Sequence, residues 1–170
     1  MSSENPPSHK NLWTPWRMAY ILGQAGKDDC IFDLAPGEAH SKKNLILRRD
    51  ELTVTLLNRF PYANGHLLVA PARHVADLAE LSGEEEVMLA RRQRQAVTIL
   101  RRHLSPHGFN IGLNLGEVAG AGLASHLHYH IVPRWEGDHN FITVTSAIRT
   151  IPQHIEATFD TLLADFQELD

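Results

Sequence analysis

The chain has very little cysteine and no long apolar run. Its 170 residues contain one cysteine, Cys30, which excludes an intrachain disulfide framework and favours a reducing compartment. No stretch approaches the roughly 18 consecutive apolar residues of a spanning helix. The polar N-terminus also lacks the basic start and apolar core of a signal peptide. We therefore expect a cytoplasmic protein without a membrane partner.

The chain also lacks a basic excess. It has 16 Lys and Arg residues against 20 Asp and Glu residues, for a formal net charge of −4. Domains that bind nucleic acid are usually strongly basic, so no nucleic-acid partner is expected. No internal repeat is found, and the length suits a single core. We expect one catalytic domain over residues 12–170, preceded by a disordered tail over residues 1–11 that is rich in Ser, Pro and Asn.

Hydrophobic patterning predicts an α+β fold: an antiparallel sheet of about five strands, one long helix against it and a C-terminal helix. Strands are expected at residues 44–47, 53–57, 66–70 and 109–115, and around three closely spaced histidines further on. The charged residues 48–51 are expected to form a hairpin turn between the first two strands. The last two strands are expected to be antiparallel neighbours in a meander.

The long helix is expected over residues 83–103, because Ser82 and Glu85 form a capping box. One face would carry the apolar residues Val87, Ala90, Val97, Leu100 and Leu104, and the arginines would lie largely in solvent: Arg91, Arg92, Arg101 and Arg102.

The two ends of the chain carry further apolar segments. Residues 12–21 hold three large aromatic side chains, which we expect to pack in the core or between subunits. An extended piece over residues 141–144 would lead to the terminal helix. That helix would start at Pro152 and carry Ile155, Phe159, Leu162 and Phe166 on one side.

Three histidines stand at every second position after a glycine-rich loop. They are His126, His128 and His130, and they alternate with Leu127, Tyr129 and Ile131. Successive side chains of a strand point to opposite faces, so the three imidazoles would form a row on one face. Such a row can supply a nucleophile, a proton donor, an anion partner or a metal ligand.

Two kinds of chemistry fit this row. The histidines could hold a catalytic zinc ion with an open position for water. Alternatively, backbone N–H groups of the glycine loop could line an anion pocket while one imidazole attacks phosphorus. We favour phosphate chemistry, because the small residues immediately before the row suit a phosphate and a water-activating zinc site would not need them.

The segment from His126 to Arg134 resembles the signature of the histidine triad (HIT) nucleotide hydrolases and transferases. The resemblance extends to Asn58 and to the segment from Asn64 through His74. Residues 12–18, 112–116, 133–135 and 140–141 are similar to a bacterial subgroup of diadenosine tetraphosphate phosphorylases and hydrolases. The resemblance implies cleavage of a phosphoanhydride at the α-phosphate of adenine dinucleotides through a nucleotidyl-histidine intermediate.

The resemblance also implies roles for individual residues. His128 would be the nucleophile, and His126 and His130 would complete the catalytic set. The residues expected to bind the nucleotide or its phosphates are Asn58 at the ribose, His66 beside the triad, and Asn114, Gly120 and Gly122 at the phosphates. No cofactor is needed to generate the nucleophile.

The chain departs from the family pattern at one position. Many relatives carry a Cys-x-x-Cys pair and bind structural zinc, whereas this chain has Cys30 followed by Asp33. Zinc accepts carboxylate oxygen, so a site formed by Cys30, Asp33, His74 and His126 stays chemically feasible with a lower affinity. The alternative is a metal-free site in which His126 contacts phosphate.

The resemblance leaves the second half of the reaction open. Residues 120–122 offer no hydroxyl for an inorganic phosphate acceptor, unlike phosphorolytic relatives, which favours hydrolysis. Phosphorolysis, cleavage of nucleoside phosphoramidates and a nucleotide-binding regulatory module with vestigial turnover are the alternatives. Family members commonly pair as dimers through the long helix and the sheet edge, so a homodimer is expected.

Overall fold

The computed structural model describes residues 30–33, 39–138 and 154–169. Within these residues, five strands form one antiparallel sheet: β1 (Ile46–Arg49), β2 (Thr53–Leu57), β3 (Leu67–Pro71), β4 (Gly108–Leu113) and β5 (Tyr129–Arg134). The helices are α1 (Gly83–Leu104) and α2 (Ile155–Gln167). The predicted α+β fold is confirmed. The predictions for residues 1–11, 12–21 and 141–144 lie outside the described residues.

The strands lie side by side in the order β1-β2-β3-β5-β4. The predicted meander is therefore wrong at one point, because β5 lies between β3 and β4. The long connection through α1 separates β3 from β4 along the chain, so the two strands need not be adjacent in the sheet. The chain that follows β4 turns back as β5 and pairs with both of them. This insertion sets Leu68 of β3 and Gly112 of β4 opposite His130 of β5.

Both helices cover the same face of the sheet. The end of α1 contributes Ala96, Ile99 and Leu100, and α2 contributes three fully buried side chains that match the prediction: Phe159, Leu162 and Phe166. The predicted inward face of α1 is wrong at its start, since Val87 is 71% exposed and Ala90 is also exposed. Leu89 is buried in their place.

Arg92 is a second correction on α1, since it is 2% exposed and does not lie in solvent. Its guanidinium donates to the Asp50 carboxylate at 2.6 Å, and its Nε lies 3.3 Å from the Thr53 hydroxyl. A buried charge needs such partners, and sequence spacing could not reveal them. Arg92 thereby joins α1 to the turn between β1 and β2.

Several boundaries differ from the predictions for local reasons. The β1–β2 turn is centred on Asp50, whose carboxylate accepts from the backbone N–H groups of Leu52 and Thr53, so the two preceding arginines belong to β1. The capping box of Ser82 and Glu85 starts α1 as predicted. Helix α2 starts at Ile155 and not at Pro152, because His154 is its N-cap. Neither helix in the described ranges is long and apolar enough to cross a membrane.

Candidate active site

The candidate site lies on the sheet face that the helices leave uncovered. A smaller apolar cluster occupies this face and includes Phe32, Leu56 and Leu68. His130 lies directly opposite Leu68, and His126 and His128 are in the segment just before β5. Leu127 and Ile131 are buried, and Ile131 belongs to the helix-side core. The predicted alternation of side chains is therefore present within β5, which contains only His130 of the three histidines.

The ring of His128 is held by a backbone carbonyl. Its Nδ1 donates to the carbonyl oxygen of His126 at 2.8 Å, so in the neutral ring Nε2 carries the lone pair. The residue is 7% exposed, and burial lowers the pKa of His128 below its ordinary value. A neutral imidazole with an unprotonated Nε2 is a nucleophile at neutral pH.

His130 has the opposite hydrogen-bonding arrangement. The backbone N–H of Tyr62 donates to Nδ1 of His66 at 3.1 Å, so the proton of a neutral His66 is on Nε2. That nitrogen lies 3.0 Å from Nδ1 of His130, to which it donates. A neutral His130 therefore carries its proton on Nε2. The rings of His128 and His130 meet edge to face with centroids 5.0 Å apart.

The partners of His126 differ from those of this pair. It is fully buried, its Nε2 donates to the carbonyl oxygen of Pro71 at 2.9 Å, and its Nδ1 lies 3.2 Å from Sγ of Cys30. Burial lowers the pKa of His126 and raises the pKa of the Cys30 thiol. Because both ring nitrogens have protein partners, this geometry favours a metal ligand over a phosphate contact.

Three side chains of the types that bind zinc converge here. One ligand atom each from Cys30, His74 and His126 lies within 4.8 Å of the others. A tetrahedral zinc ion with ligands at about 2.0–2.3 Å would need neighbouring donor atoms roughly 3.5 Å apart, and thiolate with imidazole is a usual donor set. The Pro71 carbonyl fixes His126 with Nδ1 towards the cluster, as outer-shell partners of metal ligands do. These residues fit a zinc ion.

Asp33 lies beside this cluster and not within it. Its carboxylate oxygens are 3.2 and 3.3 Å from Nε2 of His74, and both side chains are about half exposed. Carboxylates often accept a hydrogen bond from a metal-bound imidazole in this way without touching the metal. The Asp33 carboxylate therefore contacts the imidazole of His74, and its direct ligation of a metal ion stays a prediction.

The remaining predicted residues contact His66 or lie in the segment that follows β4. Asn58 has Nδ2 3.4 Å from Nδ1 of His66, so it supports that ring, and its expected ribose contact stays a prediction. Asn114 donates to the carbonyl oxygen of Gly120 at 3.3 Å, which joins the end of β4 to the glycine loop. Gly122 is exposed in the same loop. The phosphate contacts of these three residues also stay predictions.

Sequence reasoning missed two aromatic residues and one glycine. The Phe32 ring is fully buried, with its centroid 4.6 Å from that of His126 and 5.5 Å from that of His128. Tyr62 packs on His66 at 4.7 Å and stacks on His130 at 5.8 Å. Gly112 lies opposite His130, and a Cβ there would meet nothing within 4 Å. No local motif marks the two aromatic residues, since Phe32 meets histidines about 95 positions away in the chain.

Comparison with known proteins agrees with this geometry. The HIT domain matches residues 39–137. The chain is 39% identical to AP-4-A phosphorylase of Mycobacterium tuberculosis over 156 residues, which are 88% of this chain and 80% of that protein. It is 32% identical to the asymmetrical bis(5'-nucleosyl)-tetraphosphatase of Schizosaccharomyces pombe over 55% of this chain and 50% of that protein.

A solved structure has the same fold. It is the zinc-bound histidine triad family protein of Mycobacterium smegmatis, with a TM-score of 0.59, 28% identity, and coverage of 73% of this chain and 84% of that chain. The fold, the histidine row and the extent of these matches lead to one assignment: the chain belongs to the HIT family.

Proposed function

We propose that this protein cleaves a phosphoanhydride at the α-phosphate of adenine dinucleotides such as diadenosine tetraphosphate, through a nucleotidyl intermediate on His128. The relatives named for activity on AP-4-A and on dinucleoside tetraphosphates support this substrate class. The observation that carries the mechanism is the hydrogen bond from Nδ1 of His128 to the His126 carbonyl. That bond directs the unprotonated nitrogen away from the backbone.

The first half of the reaction would be an attack by Nε2 of His128 on the α-phosphorus. A P–N bond forms, the P–O bond to the leaving nucleotide breaks, and the electron pair moves to the leaving oxygen. The Nε2–H of His130 would donate to the oxygens of the transferring phosphoryl group, where negative charge develops. His66 would act through His130, because its hydrogen bond keeps that proton on Nε2. Asn114 and the loop around Gly120 and Gly122 would supply further donors.

The second half would transfer the nucleotidyl group from His128 to an acceptor. Water attacking phosphorus would break the P–N bond, release AMP and a proton, and restore the imidazole. The absence of a hydroxyl in residues 120–122 favours water as the acceptor. Inorganic phosphate is the second candidate, because the M. tuberculosis relative is named a phosphorylase. With phosphate, the nucleotidyl product would be ADP.

Product analysis separates these reactions. The purified protein is incubated with diadenosine tetraphosphate, with and without inorganic phosphate, and the nucleotides are resolved by chromatography. AMP and ATP in both conditions indicate hydrolysis, whereas phosphate-dependent ADP with ATP indicates phosphorolysis. Turnover of an adenosine phosphoramidate alone would favour a phosphoramidase. Tight binding without turnover would favour the regulatory module and contradict the proposed activity.

We also propose that Cys30, His74 and His126 hold a structural zinc ion, on the basis of their convergence. The ion would fasten the segment that carries Cys30 to the segments that carry the two histidines. Catalysis would not require it to activate water, because His128 already has an available lone pair. A chelator that removes the metal should therefore lower stability more than it lowers the rate of the chemical step. If the triad instead served as a water-activating zinc site, chelation would abolish activity.

A further inference from the structure

Arg49 is at the end of β1, where it contacts two separate parts of the candidate site. Its Nη1 donates to the Phe32 carbonyl at 2.7 Å, and its Nη2 donates to the Ala72 carbonyl at 2.8 Å. Phe32 belongs to the segment of residues 30–33, and Ala72 lies between the end of β3 and His74. The rigid fork of the guanidinium suits two acceptors in fixed directions. One side chain thus joins two of the three segments that carry the proposed metal ligands.

The segment of residues 30–33 contacts the site in two ways. Cys30 brings Sγ to 3.2 Å from Nδ1 of His126. Phe32 packs its buried ring against His126 and His128. The backbone carbonyl of Phe32 is the atom that Arg49 holds, so a shift of this carbonyl would displace the thiol and the ring together.

We propose that Arg49 is a positioning residue whose guanidinium fastens residues 30–33 to the end of β3, and thereby keeps Cys30 at His126 and Phe32 against the imidazole of His128. For the metal ligands, this inference rests on the zinc site proposed above. For the thiol and the aromatic ring, it rests only on contacts within the protein. Arg49 touches none of the reacting groups, and its effect passes through the segment that it holds.

The adjacent residue offers a matched control. Arg48 is on the same strand, but its Nη1 donates to the Phe166 carbonyl of α2 at 3.2 Å. Replacing either arginine by lysine preserves the positive charge and removes the planar fork. Arg49→Lys should release residues 30–33, whereas Arg48→Lys should affect the attachment of α2 and the ion pair of Arg48 with Asp50 at 3.5 Å.

Cys30 is the only cysteine of the chain, so its reaction with a chromogenic disulfide reagent reports directly on this segment. In metal-free protein at pH 8, Arg49→Lys should speed the reaction roughly tenfold, the scale of one lost charge-assisted hydrogen bond. Arg48→Lys should stay within about twofold of the parent. Arg49→Gln, which keeps amide donors, provides a second variant if the lysine variant does not fold. Thermal unfolding of each variant is followed by circular dichroism, and the thiol reaction is run at a temperature well below every unfolding transition.

Cobalt binding provides the second readout. Co²⁺ added to the metal-free protein should give a thiolate-to-metal absorption band, and Arg49→Lys should weaken Co²⁺ binding by a similar factor. Thiol reactivity and Co²⁺ affinity that match the parent in both Arg49 variants would overturn the inference. Absence of the band in the parent would contradict the zinc site alone, and absence of nucleotide cleavage would contradict only the proposed function. The thiol reaction still decides the role of Arg49 in either case.

Discussion

His128 and His130 are neighbouring imidazoles with opposite hydrogen-bonding capacity. The His126 carbonyl accepts from Nδ1 of His128, whereas His66 donates to Nδ1 of His130. One ring therefore has a lone pair on Nε2, and the other has a proton on Nε2. A nucleophile beside a donor for phosphoryl oxygens needs this combination, and two residues of the same type supply it because their partners differ.

The pH dependence of the reaction should reflect the burial of His128. Protonation would remove the nucleophilic lone pair, and burial lowers the pKa of this group from its ordinary value of 6.5. The protein should therefore keep its neutral His128 as the pH falls through 6.5. We expect the acid limb of kcat/KM for diadenosine tetraphosphate to lie below that value. An acid limb at or above pH 6.5 in the measured profile would contradict a buried neutral nucleophile.

Asp33 should limit the metal affinity of the cluster. Protein purified without added zinc is expected to contain substoichiometric zinc, because the carboxylate bonds to His74 and a second thiolate is absent. Asp33→Cys should raise the zinc content measured by elemental analysis. Glu136→Cys, at an exposed position outside the cluster, is the control for an added thiol. Equal zinc content in all three proteins would show that the residue at position 33 does not affect metal binding.

At the scale of elements, the loop before β3 connects the helix-side core to the site. Gly65 has φ +71°, and an added Cβ there would overlap the Leu104 side chain at the end of α1 and lie 3.1 Å from Leu100. The next residue, His66, donates a hydrogen bond from Nε2 to Nδ1 of His130. The close approach of this loop to α1 therefore helps to fix a histidine on the opposite face of the sheet.

Gly65→Ala should destabilise the protein and reduce turnover together. We expect a loss of about 1–3 kcal/mol in the free energy of unfolding, from the left-handed backbone and the crowded side chains. Gly83→Ala is the matched control, because a Cβ at the start of α1 meets nothing within 4 Å. Urea denaturation measures both variants. Equal stability of Gly65→Ala and the parent would show that neither the backbone angle nor the contact matters.

At the scale of the whole molecule, local sequence patterns predicted where helices and strands lie better than they predicted which elements lie side by side. The capping box located the start of α1, and the period of two located the histidine face. The insertion of β5 between β3 and β4 could not be predicted, because strand order depends on where the long connection returns. The burial of Arg92 depends on Asp50, 42 residues away, and the ring of Phe32 meets His126 only in the folded chain.

Assembly of the molecule can be tested at the edge of the sheet. Within the described residues, β4 pairs only with β5, and its Ile111 is 48% exposed. We expect a homodimer formed through this edge and α1, as the family resemblance implies. Light scattering at micromolar concentration should give the mass of a dimer, and Ile111→Lys should shift it towards the monomer. A strictly monomeric parent protein would contradict this prediction.

The central claim is that His128 forms a covalent bond to the substrate phosphorus. The protein is mixed with a slowly resolved adenine dinucleotide, quenched at alkaline pH because the P–N bond is acid-labile, and digested for mass spectrometry. We expect an added nucleotidyl mass on the peptide containing His128. His128→Asn should still bind nucleotide, show no adduct and lose turnover by roughly 10⁴-fold or more. Full activity of His128→Asn, or an adduct that persists in that variant, would contradict the mechanism.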